Sequence, residues 1–150
     1  MARRGYKQES EFTEEVVDIK RVSKKTKGGD QIAFTALVVV GNKKGKVGTG
    51  LAKSKDVVSA IHKAIKRAHS DLAQVNTKGD TIAHEVKAKY SGAEVLIKPA
   101  PEGTGLIAGG TVRTVLNLAG VKNASAKMLG SNNKVSNVRC TIKALQRLRE

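Results

Sequence analysis

The chain has 150 residues, a formal net charge of +15 and 39% hydrophobic residues. That length accommodates one ordinary domain or two small ones, and that much apolar material supports a buried core, which excludes a disordered basic tail. So much like charge opposes compaction unless a polyanion neutralises it, so nucleic acid is the first partner expected and an anionic membrane surface the second.

The start, Met1-Ala-Arg-Arg-Gly-Tyr-Lys-Gln-Glu-Ser10, lacks the apolar centre of a secretory signal. Residues 1–13 are expected to form a flexible basic arm in which Arg3, Arg4 and Lys7 are positioned to touch phosphate. The β-branched run Val16-Val-Asp-Ile-Lys-Arg-Val22 predicts a strand within Glu14–Lys24. A cationic loop, Ser23-Lys-Lys-Thr-Lys-Gly-Gly-Asp30, follows, and its paired glycines permit close backbone approach. Gln31–Gly41 is the longest strand expected; it is apolar on both faces toward its end and therefore central. Gly41-Asn-Lys-Lys-Gly45 turns the chain into a second strand, Lys46–Leu51, completing a hairpin with a cationic tip. Gly48 and Gly50 share one face of that strand and leave room for a helix or a nucleic acid backbone.

Val57, Ile61, Ala64, Ile65, Ala68 and Leu72 keep helical spacing and predict a helix over Ser54–Leu72, with Ser54 as its cap and Asp56 in its first turn. Three strands and a helix make one α+β layer over residues 14–74. The polar stretch Val75–Asp80 is the expected domain boundary. Beyond it, Ile82–Tyr90 and Ala93–Lys98 read as strands, followed by the glycine- and proline-rich segment Pro99–Gly110. A helix with the stripe Val112, Val115, Leu116 and Ala119 ends at Gly120, and Val121–Leu129 is a weaker strand. The final helix, Val135–Arg149, carries Val138, Ile142, Leu145 and Leu148 at helical spacing, so residues 75–150 form a second α/β layer.

Catalytic and nucleotide motifs fail on spacing. Gly45-Lys46 is followed by Val47 and preceded by Val40 where a P-loop needs Ser or Thr and Gly. Gly103-Thr-Gly105-Leu-Ile-Ala108 matches a dinucleotide fingerprint, but Ser125 stands where a ribose-binding acid belongs. His62, His69 and His84 specify no zinc site, Glu14-Glu15 sit on opposite strand faces, and Ser131 has no His–Asp partners, so neither catalysis nor a cofactor is expected. Cys140 is the only cysteine, which fits a reducing, cytoplasmic setting and a small buried side chain. No apolar run approaches the roughly 18 residues that span a bilayer. With no Trp and only Tyr6, Phe12, Phe34 and Tyr90, the chain is short of aromatic platforms for stacking on single strands.

Charge locates the interface instead. Residues 20–67 hold thirteen Lys or Arg against two acids, so the polyanion face belongs mainly to the first domain. Lys20, Arg21, Lys24, Lys25 and Lys27 are the phosphate contacts expected from the first loop, with Lys43, Lys44, Lys46, Lys53 and Lys55 from the hairpin and helix start. Gly28, Gly29, Gly48 and Gly50 are the positions where backbone is expected to approach a nucleic acid closely.

The segments Gly28–Gly41, Gly45-Lys-Val-Gly-Thr-Gly-Leu-Ala-Lys53, Lys98–Gly110, Leu118-Ala-Gly-Val121 and Gly130-Ser131 closely resemble the universal family of small-subunit ribosomal protein five. The resemblance covers roughly residues 14–149. It implies an α+β protein of two small domains, a double-stranded-RNA-binding-like three-stranded sheet with a helix and a C-terminal α/β two-layer sandwich. It implies a structural role in the small ribosomal subunit, with 16S rRNA and neighbouring proteins four and eight as partners, near the messenger-RNA entry path, supporting decoding accuracy. In the family the loop matching Arg21–Gly29 lies near head RNA, and the segment matching Gly103, Thr104, Gly105, Gly109, Gly110 and Arg113 faces protein four. Lys134 departs from the proline usual before the last helix, and Lys43-Lys44 make a more basic turn than the family's. The competing reading is a free-standing duplex-RNA-binding protein or chaperone.

Overall fold

A computed structural model describes residues 12–148. The chain runs β1 (Thr13–Thr26), β2 (Gly29–Gly41), β3 (Lys46–Ser54), α1 (Val57–Ser70), β4 (Leu72–Gln74), β5 (Val86–Tyr90), β6 (Ala93–Pro99), β7 (Leu106–Ile107), α2 (Gly110–Ala119), β8 (Ala124–Met128) and α3 (Lys134–Gln146). Arg3, Arg4 and Lys7 lie outside the described residues, and Thr13 already belongs to β1.

The first sheet is antiparallel in the order β1-β2-β3-β4, with β2 inside it as its two apolar faces require. Ala36, Val38 and Val40 point to one side with Ala52 and pack on Ala60, Ala64 and Ala68 of α1. This i, i+4 alanine ridge brings the helix backbone close to the sheet. Gly48 and Gly50 are the other half of that contact. A Cβ on Gly48 would meet the Ala68 carbonyl oxygen, and one on Gly50 would meet the Ala64 carbonyl oxygen and lie 2.7 Å from Ala68 N. The helix therefore fills the space that the sequence left open to a helix or to RNA, and Gly48 and Gly50 are packing residues instead of RNA-contact positions.

Leu37 and Val39 face the other way and join Val47, Ile97, Leu116, Leu118, Val138 and Leu145 in one core. The two halves thus share apolar interior, where each fully buried Val or Leu contributes about 1.5–3 kcal/mol. Val17 reaches that core through a β-bulge: the register slips between Val16 and Asp18, so Val17 is an extra residue opposite β2.

The first sheet has a fourth strand beyond the three expected. β4 pairs Leu72–Gln74 with Lys46–Gly48 and is too short to show a period in sequence. Ser54 closes β3, and Asp56 holds the N-cap position of α1 without a side-chain cap hydrogen bond. The second sheet has the order β5-β6-β8-β7 and is covered by α2 and α3. Its first strand begins at Val86, not Ile82, because Lys78 and Thr81 form a backbone bridge that turns the chain first. Within the glycine-rich segment, Leu106–Ile107 form β7, parallel to β8. Gly120 ends α2 in a left-handed conformation, φ 97°, and Asn133 caps α3 by accepting from Val135 N at 3.1 Å.

Candidate nucleic-acid interface

The pairing of β2 with β3 stops at Phe34 and Ser54, but β1 and β2 continue together. They project as a two-stranded ribbon in which residues 23–32 are all exposed. Thr26 pairs with Gly29 around a two-residue turn, Lys27-Gly28, and Thr26 Oγ1 donates to the Gly29 carbonyl. The cationic loop expected over Ser23–Asp30 is therefore strand except for that turn. A Cβ at Gly28 or Gly29 would meet nothing within 4 Å, so this tip is open to close approach.

Being strand, the ribbon sorts its charges by face. Lys20 lies opposite Thr35, which lies opposite Lys53, and Lys24 lies opposite Gln31, so Lys20, Lys24 and Lys53 share the face turned away from α1. Arg21 and Lys25 share the other. Lys24, Lys53 and Lys55 line one shallow hollow of about 210 Å³, and Arg21 lines a second of about 280 Å³ with Asp30 and Ile32. Among the described residues, Lys20 alone of this group has a carboxylate within ion-pair distance: Asp18 lies 4.0 Å away and also meets Lys134 at 3.6 Å. The N-terminus of α1 opens beside Lys53 and Lys55, and a helix start favours a phosphate. Ile19 and Ile32, 42% and 43% exposed, lie on the same face of the sheet as Arg21 and Lys25, an apolar feature the strand pattern alone does not reveal.

Lys43, Lys44 and Lys46 do not join this cluster. β3 has nine residues, so at about 3.3 Å per residue they lie roughly 30 Å from Lys55, at the opposite end of the sheet. Their turn is docked, not free. Lys43 N donates to Leu118 O at 2.9 Å and Gly45 N to Ala119 O at 3.1 Å, satisfying carbonyls at the end of α2. Asn42 Oδ1 accepts from Lys44 N at 2.8 Å and Lys46 N at 3.1 Å. Lys43 itself sits at φ 58°, a left-handed conformation that costs a side-chain-bearing residue free energy. The three lysine side chains remain exposed.

The segment named for protein contact is anchored and edge-on. Gly103 and Gly105 adopt φ of 91° and 78°, and Gly105 N donates to Asn123 Oδ1 at 3.0 Å. Leu106–Ile107, inside the apparent dinucleotide fingerprint, are themselves the edge strand β7, so the tight strand-to-helix turn of that motif is not formed. Gly109 caps α2 against Met128, Gly110 and Thr104 are exposed, and Arg113 donates from Nη2 to Leu106 O at 3.2 Å. Ile107 is 57% exposed at the centre of this surface. Cys140 is buried with Sγ 3.2 Å from Ala88 O, and that burial pushes its thiol above the usual cysteine range, away from reactivity.

Residues 12–76 match the family description "Ribosomal protein S5, N-terminal domain", and residues 88–150 match "Ribosomal protein S5, C-terminal domain". The chain is 54% identical over 139 residues to the protein named "Small ribosomal subunit protein uS5" of Campylobacter jejuni strain 81-176, covering 93% of this chain and 95% of that one. The proteins of the same name from strains 81116 and RM1221 match to the same extent.

Proposed function

The chain belongs to the ribosomal protein S5 family and is a structural component of the small ribosomal subunit, and from that premise we propose that it grips 16S rRNA with one end of its first sheet. The observation that carries this reading is the projecting β1–β2 ribbon: an exposed, cationic element with an open glycine tip and no protein packed against it among the described residues. Arg21, Lys24, Lys25 and Lys27 supply the ribbon's contacts, and Lys53 and Lys55 extend them along the sheet, with Lys20 as a minor contributor. Each phosphate neutralised releases counterions, so log affinity falls with log salt by roughly 0.7–0.9 per contact. No catalytic step is needed; the family is one of structural proteins, and the work is electrostatic and steric.

The surface Gly103–Arg113 is assigned to neighbouring protein four of the subunit, and protein eight is the second protein partner, with no surface assigned to it. An exposed Ile107 on a two-residue edge strand, flanked by glycines with left-handed backbone, supports a protein contact over a phosphate cradle. Seated there, the protein borders the messenger-RNA entry path and supports decoding accuracy.

The test is co-sedimentation with small subunits after a high-salt wash. Retention of the wild-type chain supports an integral rRNA contact, whereas complete release into a pool that binds any RNA duplex equally identifies a free-standing duplex-RNA chaperone.

A further inference from the structure

On the side of the shared core away from the ribbon, β3 and β4 diverge from α3 around an open hollow of about 550 Å³. This is the size of a small-ligand site, for which about 300–1,000 Å³ is usual. Ala73, the buried Ile142 and the half-buried ring of Tyr90 line it with apolar surface. Two opposite charges also line it: Arg139 on α3 and Asp71 at the end of α1, both exposed. Among the described residues neither side chain forms an ion pair or a hydrogen bond, so Arg139 and Asp71 stand at the same opening without meeting. Lys143, the next cation along α3, donates to the Lys89 carbonyl at 3.4 Å, and Arg147 donates to the Lys87 carbonyl at 3.4 Å, both on the open edge of β5. Arg139, Lys143 and Arg147 are four residues apart and so form a stripe with steps of about 6 Å along the helix.

A ligand suited to this hollow has a flat π-face for Tyr90, an anionic group for Arg139 and a hydrogen-bond donor for the Asp71 carboxylate. We propose that the hollow binds one unstacked nucleotide, with its base against Tyr90 and Ile142, its phosphate at Arg139 and an exocyclic amino group donating to Asp71. The amino group selects cytosine, adenine or guanine over uracil. The α3 stripe then continues along the phosphodiester chain to either side. One platform serves one base, which suits a chain this poor in aromatics. The site is separate from the ribbon and does not depend on it.

The sequence supplies the reporter. Trp is absent and Tyr6 and Tyr90 are the only tyrosines, so Tyr6→Phe leaves Tyr90 as the single tyrosine, read by excitation beyond the phenylalanine absorption. The full chain carrying Tyr6→Phe is titrated with a cytidine tetranucleotide, a uridine tetranucleotide, cytidine monophosphate and a blunt RNA duplex. Saturable quenching by the cytidine tetranucleotide, weaker for uridine, is the expected result. Adding Arg139→Gln, at an exposed position without partners, weakens it by about tenfold, the loss of one charge-assisted hydrogen bond. Adding Lys24→Ala, Lys25→Ala and Lys27→Ala leaves it unchanged, which separates this site from the ribbon. Quenching by the monophosphate at similar affinity supports the site with a free nucleotide as its ligand, and quenching by the tetranucleotide alone supports it with an RNA strand. No quenching, equal quenching with Arg139→Gln, or equal quenching by the duplex overturns the proposal.

Discussion

Two turns of this protein have nearly the same composition and opposite surroundings. Lys24–Gly29 and Lys43–Lys46 are both runs of lysine and glycine. The first ends a ribbon whose glycines have nothing within 4 Å of a Cβ. The second is bound by its backbone to the last carbonyls of α2, and a Cβ on Gly45 would lie 2.8 Å from Val75 O. Composition reports that a segment is cationic and bendable; only the tertiary neighbours decide whether its backbone is available to a ligand or already engaged.

The sharpest way to test that contrast is to add one methyl group. Gly50→Ala, which drives a Cβ into the α1 backbone, is expected to destabilise the fold by about 3 kcal/mol or more, and Gly41→Ala, facing the Leu118 carbonyl, by a similar amount. Gly28→Ala is expected to change stability by less than about 0.5 kcal/mol. Urea unfolding measures all three, and a Gly28→Ala loss as large as that of Gly50→Ala would show that the tip is packed. Next in size, Lys24→Ala with Lys25→Ala and Lys27→Ala should lower the salt slope of rRNA binding by about 2–3 units while the thermal midpoint stays in place. A midpoint shift of several degrees with an unchanged slope would make these lysines structural. Lys43→Ala with Lys44→Ala should change that slope by less than half as much, measured on the same RNA. The smallest effect is expected from Lys43→Gly, which relieves the left-handed strain at φ 58° and should raise stability by roughly 0.5 kcal/mol without altering RNA affinity.

The sequence made some of this plain and hid the rest for physical reasons. β2, α1 and α3 were legible because each carries enough turns or alternations for its apolar period to stand out, as Val138, Ile142 and Leu145 do. β4 and β7 were not, since three residues and two residues carry no period. The parity of Gly48 and Gly50 told which face they shared but not what would occupy it, because the alanine ridge that fills it belongs to another element. The glycine-rich tip at Gly28-Gly29 and the cations around it were readable from charge density. That Lys43 docks on Leu118 was not, because the acceptor is a backbone carbonyl and any residue type supplies one. The hollow at Tyr90 was invisible for the same reason: its lining comes from four separate elements and the chain end of α1.

The bulge at Val17 has a consequence for aim. In a regular strand, neighbours point to opposite faces, yet here Val17 packs into the shared core while Asp18, opposite Leu37, reaches Lys134 at the first turn of α3. Two consecutive side chains thus fasten an edge strand to the other half of the molecule, and the added twist sets the direction in which the strand departs. The ribbon's lysines are held like the jaws of a tool whose handle is this single inserted residue. An insertion or deletion at that point would re-aim every contact beyond it while leaving each lysine in the sequence untouched.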